Sequence, residues 1–238
     1  MATNSKTAQE RVALISGGNR GIGAAIARHL AEQGWRLSLG MRNPQTPDGL
    51  DASRLHVVAY DAKDPQAEGR WVAEALGRFG RIDAVIANAG IIVRKNVIEA
   101  DDADLDAMLA VNVKAPRRMA VAAWNALGES GRGRFIILAS LSGKRVKSAG
   151  ASLYALSKFA AVALAHGVRH TGWNLGIRAT AVCPGFVATD MARGLTDRAD
   201  GSMTDPADIA RIVAMLLDLP NEASVAEFTV NCQFEETY

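Results

Sequence analysis

Short apolar segments alternate with longer segments of helical periodicity along most of the chain. We predict strands at seven apolar segments: Val12–Ser16, Arg36–Gly40, Leu55–Tyr60, Ile82–Ala87, Arg134–Ala139, Ile177–Val182 and Val225–Val230. Between most of them, apolar residues recur every three or four positions, which predicts helices at Ile22–Gln33, Gln66–Phe79, Leu105–Leu127 and Ser152–Arg169. This alternation is typical of an α/β fold, a doubly wound parallel sheet of about seven strands with helices on both faces.

Strand composition and helix starts support this fold. Phe135–Leu138 is apolar at every position, as expected of a strand that helices cover on both faces. Asp64-Pro65 and Asp205-Pro206 each place a capping side chain before a proline, the pattern of a helix start. We find no repeat or linker, so we expect residues 1–238 to form one domain, with residues 1–10 as a flexible extension.

The balanced composition narrows the classes of function. Of 238 residues, 49% are hydrophobic, and 27 Lys and Arg against 25 Asp and Glu give a net charge of +2. This charge is too small for a protein that binds nucleic acid or a membrane surface through its overall field. Two cysteines are too few for a disulfide framework, and we see neither a secretory signal nor an apolar run of about 20 residues. The prediction is a soluble, cytoplasmic protein that binds neither nucleic acid nor a membrane.

Three glycines, Gly17, Gly21 and Gly23, follow the first predicted strand and open the first predicted helix. Glycines allow a tight turn, and the N–H groups and dipole at a helix N-terminus stabilise a phosphate. A nucleoside-triphosphate loop does not fit, because Ala24 and Ala25 occupy the positions that need Lys and Ser or Thr. The GxxxGxG spacing therefore favours a dinucleotide cofactor over a turn with a backbone role alone.

The end of the second strand predicts which dinucleotide is preferred. An acidic residue there would bind the 2′-hydroxyl of the ribose, and an arginine would accommodate a 2′-phosphate. Leu39–Asn43 contains Arg42 and no acidic residue, and Arg20 adds a second positive charge. NADP(H) is therefore favoured, and NAD(H) stays possible. The alternative interpretation is that Arg42 is a solvated surface arginine.

Tyr154 and Lys158 lie four residues apart in a segment without Pro or Gly, which places them on one helix face. An ammonium beside a phenol favours the phenolate, so we expect the pKa of Tyr154 to lie below its usual value. Such pairs are common on protein surfaces, and this one gains weight only together with the glycine loop.

With these motifs, the sequence resembles the short-chain dehydrogenase/reductase family from about Arg11 to Leu219. The resemblance implies four catalytic residues: Asn112, Ser140, Tyr154 and Lys158. It implies cofactor contacts by Gly17, Asn19, Arg20, Gly21, Ile22, Gly23, Arg42, Asp61, Ala62, Asn88, Ala89, Gly90, Tyr154, Lys158, Pro184, Gly185, Val187 and Thr189. No metal is implied.

The resemblance also implies a reaction, reversible hydride transfer between a nicotinamide and a small-molecule carbonyl or secondary alcohol. Tyr154 is expected to act as general acid or base, Lys158 to hold the ribose, Ser140 to bind the substrate oxygen, and Asn112 to position a water. A homodimer or homotetramer is expected. The tail at Phe228–Phe234 lacks the glycine-rich ending that is usual in this family, in a region that commonly packs at a subunit interface.

Two assignments have alternatives within the sequence. Ser142 is an alternative to Ser140 as the catalytic serine. Ser140 lies 14 residues before Tyr154 and Ser142 lies 12 residues before it, and the family's usual spacing falls between these values. The position of Ser140 at the end of a predicted strand favours Ser140. His166 and His170 share a helix face but lack the glutamate of HExxH, so we expect a packing or surface role rather than metal binding.

Two other classes of function are alternatives, a cofactor-sensing regulator and an α/β-hydrolase. A cofactor-sensing regulator on the same fold would show damage to the four catalytic residues, and an α/β-hydrolase would need a GxSxG segment, which the chain lacks.

We expect the substrate pocket at Ile91–Asn96, Gly143–Ala151 and Phe186–Thr204. Basic residues in these segments would favour an anionic or polar substrate, although solvated surface charge is the simpler interpretation: Arg94, Lys95, Lys144, Arg145 and Lys147.

Overall fold

The computed structural model describes residues 10–234, and within them the chain forms a seven-stranded sheet with helices on both sides. The strands are β1 (Val12–Ser16), β2 (Arg36–Met41), β3 (Leu55–Ala59), β4 (Ala84–Ala87), β5 (Arg134–Leu138), β6 (Arg178–Pro184) and β7 (Glu227–Val230). The helices are α1 (Gly21–Glu32), α2 (Ala67–Phe79), α3 (Asp102–Leu109), α4 (Ala115–Glu129), α5 (Ser152–Gly172), α6 (Asp190–Arg193) and α7 (Pro206–Asp218). The predicted fold class is confirmed.

All strand pairs are parallel, in the order β3-β2-β1-β4-β5-β6-β7. β1 pairs with β2 on one side and with β4 on the other, so Ala13 lies opposite both Leu37 and Ala84. From β1 the chain extends the sheet in one direction as far as β3, and from β4 onward it extends the sheet in the other direction. The switch point therefore lies between β1 and β4. In such sheets a crevice opens at the carboxyl ends of the strands at this switch point.

Successive residues of the strands pack on opposite faces. Leu14 packs on the side of α2, α4 and α5, where Trp71 lies, whereas Ile15 packs on the side of α1 and α7, where Ile26 and Val213 lie. Both faces of β1 are fully buried. This is why its sequence shows a continuous apolar run instead of alternation.

The predicted helix Leu105–Leu127 is interrupted. α3 passes into a wide π-turn at Ala110–Lys114 before α4 begins. Pro116 lies in the first turn of α4; it has no N–H, and its ring would clash with the carbonyl group four residues earlier, that of Asn112. The proline thus favours a locally widened backbone at Asn112, a feature often found at functional sites.

The two Asp-Pro pairs have different outcomes. The Asp205 side chain accepts a hydrogen bond from the Ala207 backbone N–H at 2.8 Å and caps α7 as predicted. Asp64 accepts from the Gln66 N–H at 2.9 Å within a turn, but α2 begins only at Ala67. The expected helix start at Asp64 is therefore wrong, because this side chain closes the turn that precedes the helix.

The expectation about apolar length also needs correction. Among the described residues, the stretch Ala149–Leu175 is long and apolar enough to cross a membrane by length and composition alone. It contains α5, which packs on the sheet with Ala155 and Ala161 fully buried. Buried core helices pass the same test, so the stretch is weak evidence for a membrane span.

The chain ends lie partly outside the structure. Most of the expected N-terminal extension, residues 1–9, lies outside the described residues. Glu10 is described, and its carboxylate forms ion pairs with Arg36 at 2.6 Å and Arg54 at 3.0 Å.

Candidate active site

A cavity of about 820 Å³ opens at the carboxyl ends of the strands, lined by the segments that follow β1 to β6. It extends across the switch point, with the residues after β2 and β3 at one end and those after β5 and β6 at the other. Every site residue predicted from the sequence lines it except Gly23 and Asn112, which lie behind its wall.

The glycine loop has the shape that close approach of a ligand requires. Gly17 and Gly21 have positive φ angles of 70° and 53°, which side-chain-bearing residues rarely adopt. A Cβ at Gly23 would lie 2.2 Å from the Gly17 carbonyl oxygen. The loop runs directly into the N-terminus of α1 at the cavity, and this cradle of backbone N–H groups fits a dinucleotide phosphate.

Hydrogen bonds tie the glycine loop to the segment after β4. The Ser16 hydroxyl accepts from the backbone N–H groups of Asn88 and Ala89, each at 3.0 Å. The Asn88 amide donates to the carbonyl oxygens of Ser16 at 2.9 Å and Gly17 at 3.2 Å. Asn88 therefore fixes the loop across the switch point, in addition to lining the cavity.

Both positive residues expected near the cofactor line the cavity, but they lie in different parts of it. Arg42 is exposed and lines the cavity directly after β2. Arg20 also lines it, but its guanidinium lies 3.3 Å from the Asp190 carboxylate. Asp61 accepts a hydrogen bond from the Lys63 N–H at 2.9 Å, so it stabilises a turn while it faces the cavity.

Tyr154, Lys158 and Ser140 meet at the other end of the cavity. The Lys158 ammonium lies 5.6 Å from the centroid of the Tyr154 ring and donates to the Leu138 carbonyl oxygen at 2.9 Å. The Ser140 side chain hydrogen-bonds the Tyr154 hydroxyl, and it accepts from the Ser142 N–H at 3.1 Å. Of the two candidate serines, Ser140 is thus the one in contact with Tyr154.

The expected direction of the Tyr154 pKa is wrong for this structure. Burial raises the pKa of Tyr154 to about 12, and the hydrogen bond with Ser140 opposes that rise. Burial also lowers the pKa of Lys158 to about 8. The physical reason is burial, because the apolar surroundings disfavour the charged form of both groups.

Asn112 lies behind the cavity wall and holds two elements together. Its Oδ1 accepts from the Ile91 N–H and its Nδ2 donates to the Ile91 carbonyl oxygen, both at 3.0 Å. Nδ2 also donates to the Ser157 hydroxyl at 3.0 Å. A Cβ at Gly90 would lie 3.4 Å from Asn112 Oδ1 and 3.7 Å from Lys158 Nζ, so the two groups border the same small space.

Known proteins share this arrangement. The sequence profile of the short chain dehydrogenase family matches residues 11–200. The chain belongs to the short-chain dehydrogenase family. An uncharacterized oxidoreductase of Staphylococcus saprophyticus is 30% identical over 237 residues, which cover 93% of this chain and 97% of that protein.

Two further relatives of this chain are informative. An agropine synthesis reductase of Rhizobium rhizogenes is 37% identical over 234 residues, and the match covers 97% of this chain. The chain spans about half the length of that protein, 54%. A short chain dehydrogenase from Burkholderia cenocepacia, in complex with NADP, is 30% identical with a TM-score of 0.82, covering 94% of this chain and 97% of that chain.

Residues that were not predicted from the sequence also line the cavity. The expected substrate segments contribute, and so do Asn231 and Gln233 from the tail after β7. β7 pairs with β6, and a Cβ at Gly185 would lie 2.6 Å from Asn231 Oδ1. The only sequence signal was that Phe228–Phe234 departs from the glycine-rich ending usual in the family.

His166 is paired with an acidic side chain. His166 Nε2 lies 2.7 Å from the Glu227 carboxylate, which also binds Lys144. Among residues 10–234, no group of three or more His, Cys, Asp and Glu side chains is placed to hold a metal ion.

Proposed function

We propose that this chain is an NADP(H)-dependent oxidoreductase that interconverts a small-molecule carbonyl compound and its secondary alcohol. The observation that carries the proposal is the contact of Ser140 and Lys158 with Tyr154 inside a cavity that the glycine loop also lines. A bound nicotinamide dinucleotide supplies or takes up the hydride. The relatives named reductase and oxidoreductase support this class of reaction.

In the direction of reduction, Tyr154 donates its hydroxyl proton to the substrate oxygen as general acid. Burial raises the pKa of Tyr154 to about 12, so the phenol carries its proton at neutral pH. The Ser140 hydroxyl lies against the same phenol, where it can donate to the substrate oxygen as negative charge develops on it. The two hydroxyl groups thus define where the reacting oxygen binds.

Lys158 has two proposed roles. Its ammonium faces the cavity next to the Tyr154 ring, where it stabilises a phenolate after proton transfer. It also holds the nicotinamide ribose. Asn112 Oδ1 and Lys158 Nζ border the space beside Gly90, which supports a water relay from Lys158 toward solvent.

The choice of NADP(H) rests on the charges of two arginines that line the cavity. Arg42 lines the cavity directly after β2, which ends without an acidic residue, and Arg20 lines it from the glycine loop, paired with Asp190. The Burkholderia cenocepacia relative was crystallised with NADP, which supports the same choice. NAD(H) would lack the phosphate that these guanidinium groups attract.

The proposal includes the organisation of the protein. One continuous sheet carries both the glycine loop and Tyr154, which supports a single dinucleotide-binding and catalytic domain. The protein is proposed to act in the cytoplasm as a homodimer or homotetramer, without nucleic acid or membrane partners.

The proposal is tested by mixing the purified protein with NADPH and a panel of aldehydes and ketones, and following absorbance loss at the nicotinamide band. We expect NADPH oxidation that requires the carbonyl compound and yields the matching alcohol. Tight NADPH binding without turnover on any carbonyl compound would instead support a cofactor-sensing regulator. Failure to bind either dinucleotide would contradict both.

A further inference from the structure

A buried ion pair joins α2 and α4 behind the end of the cavity that follows β2 and β3. The Glu68 carboxylate, 1% exposed, accepts from the Arg118 guanidinium at both oxygens. Oε2 lies 2.7 Å from Nε, and Oε1 lies 3.1 Å from Nη2. Glu68 lies in the first turn of α2, and Arg118 lies near the start of α4. Neither residue lines the cavity.

The ion pair holds two groups of the segment that follows β3. Glu68 Oε1 also accepts from the Tyr60 hydroxyl at 2.9 Å, and Arg118 Nη2 donates to the Ala62 carbonyl oxygen at 2.7 Å. Tyr60 and Ala62 both line the cavity. The ion pair therefore supports this wall from behind, through one side chain and one backbone carbonyl group.

The segment after β3 receives support from the sheet on one side alone. In the sheet formed by the described residues, β3 lies at the edge and pairs with β2. The Tyr60 N–H donates to the Met41 carbonyl oxygen at 3.0 Å, and the chain then leaves the sheet for a turn in which the Asp64 N–H donates to the Asp61 carbonyl oxygen at 3.0 Å. The hydrogen bond from Arg118 reaches Ala62 within this turn. The position of the turn therefore depends on α4.

The chemistry of the pair fits a positioning role better than a role in stability alone. A buried carboxylate is costly unless it is paired and hydrogen-bonded, and apolar side chains of similar volume often stabilise a helix contact as well as a buried ion pair does. Apolar side chains cannot bond a hydroxyl and a carbonyl oxygen. The donors of a guanidinium form a fixed planar fork, so Arg118 can bond Glu68 and Ala62 together, whereas a lysine ammonium is a single point of charge.

The supported wall lies at the end of the cavity where the adenosine part of a dinucleotide is expected. In doubly wound sheets the residue at the end of the second strand meets the adenosine ribose. Arg42 occupies that position, and β3, the strand before Tyr60 and Ala62, is the neighbour of β2. Tyr154, the proposed proton donor, lies in the helix after β5, across the switch point. Tyr60 and Ala62 therefore lie beside the adenosine part.

We propose that Arg118 and Glu68 are positioning residues for the cofactor, which fix Tyr60 and Ala62 where these two residues contact the adenosine part of the dinucleotide. Neither charged residue touches the cofactor itself. This inference rests on the proposed dinucleotide-dependent function, and it adds two residues that determine how tightly the cofactor binds.

Two variants and a matched control test the inference. Arg118→Lys keeps the charge and removes the planar fork. The double variant Glu68→Leu with Arg118→Met removes both charges at once, so it leaves no unpaired buried carboxylate and keeps the helix contact apolar. Arg117→Lys is the control, since Arg117 is the adjacent, exposed arginine of α4 and does not line the cavity. Circular dichroism and thermal unfolding check the fold of each variant.

The readouts separate the two ends of the cofactor. Calorimetry measures the dissociation constants of 2′,5′-ADP and 5′-AMP, which carry only the adenosine part. Steady-state kinetics compares NADPH with reduced nicotinamide mononucleotide, which lacks that part, on a carbonyl compound that the wild type reduces. We expect both variants at Arg118 to weaken binding of the adenosine fragments on the order of tenfold and to raise KM for NADPH more than they change kcat. Turnover with reduced nicotinamide mononucleotide is expected to match that of the wild type, because this donor does not reach Tyr60 or Ala62.

Three results would overturn the inference. The first is unchanged fragment binding in the folded double variant, and the second is an equal loss of fragment binding in Arg117→Lys. The third is an equal loss of turnover with NADPH and with reduced nicotinamide mononucleotide, since that result shows general damage to the fold. Each of them leaves the oxidoreductase function standing. A wild-type protein that binds neither the adenosine fragments nor NADPH would instead contradict that function itself.

Discussion

The Lys158 ammonium lies 5.6 Å from the centroid of the Tyr154 ring and is fixed there by the Leu138 carbonyl oxygen at 2.9 Å. Both side chains project from one turn of α5, and Leu138 is the last residue of β5. The end of β5 therefore holds the Lys158 ammonium between the Tyr154 ring and Gly90, which follows β4. One cation can serve both the proton donor and the cofactor ribose from this position.

Lys158→Ala is expected to weaken NADPH binding and to lower kcat, since it removes both roles at once. Calorimetry measures the NADPH dissociation constant, and steady-state kinetics measures kcat on any carbonyl substrate that the wild type reduces. Circular dichroism checks the fold. An unchanged dissociation constant in a folded variant would remove Lys158 from ribose binding.

The pH dependence of reduction reports the same lysine. Burial lowers the pKa of Lys158 to about 8, so its positive charge is lost as pH rises through that value. Tyr154, whose pKa burial raises to about 12, keeps its proton throughout this range. We expect kcat/KM for NADPH, which reports the free enzyme, to fall above about pH 8. A rate that rises across pH 8 would contradict this assignment.

Cofactor preference tests the charge at Arg42. The wild type is expected to favour NADPH over NADH by roughly 10- to 100-fold in kcat/KM, since an arginine–phosphate contact contributes about 1.5–3 kcal/mol. Arg42→Ala should remove most of this preference by weakening NADPH and leaving NADH unchanged. Arg28→Ala, which removes an exposed arginine of α1 away from the cavity, is the control. If the wild type uses NADH as well as NADPH, Arg42 is only a surface arginine.

Gly23 and Gly77 separate steric exclusion from helix propensity. A Cβ at Gly23 would lie 2.2 Å from the Gly17 carbonyl oxygen, whereas one at Gly77 would meet nothing within 4 Å. Gly23→Ala is expected to destabilise the protein by about 1–3 kcal/mol and to weaken NADPH binding. Gly77→Ala, in α2, is expected to stabilise it by roughly 0.5–1 kcal/mol. Urea unfolding measures both, and equal effects would rule out the steric account.

Strand positions were predictable from sequence because a strand buried on both faces leaves a continuous apolar run. β1 has the predicted bounds, and β5 differs from the prediction by one residue. The interruption at Asn112 was missed because the apolar periodicity continues through it; the signal was Pro116, four residues later. The apolar periodicity thus predicted where the strands and helices lie, but it did not predict the local departure from helical geometry at Asn112.

The chemical environment of the site was less predictable. The direction of the Tyr154 pKa depends on the burial of its phenol, which a four-residue spacing does not contain. Asn231 was missed because it reaches the cavity only through the pairing of β7 with β6, an arrangement of distant segments. The glycine loop, by contrast, was predictable from the sequence because its conformation depends on adjacent residues.

The most direct test of the central claim is the turnover of Tyr154→Phe. The substitution keeps the ring and removes the hydroxyl group, so the proton donor is lost while the cofactor site is preserved. The measurement is kcat for carbonyl reduction together with the NADPH dissociation constant, in wild type and variant. We expect the variant to lose nearly all turnover and to keep an NADPH affinity within a few-fold of wild type. Substantial turnover in this variant would contradict the assignment of Tyr154 as the proton donor.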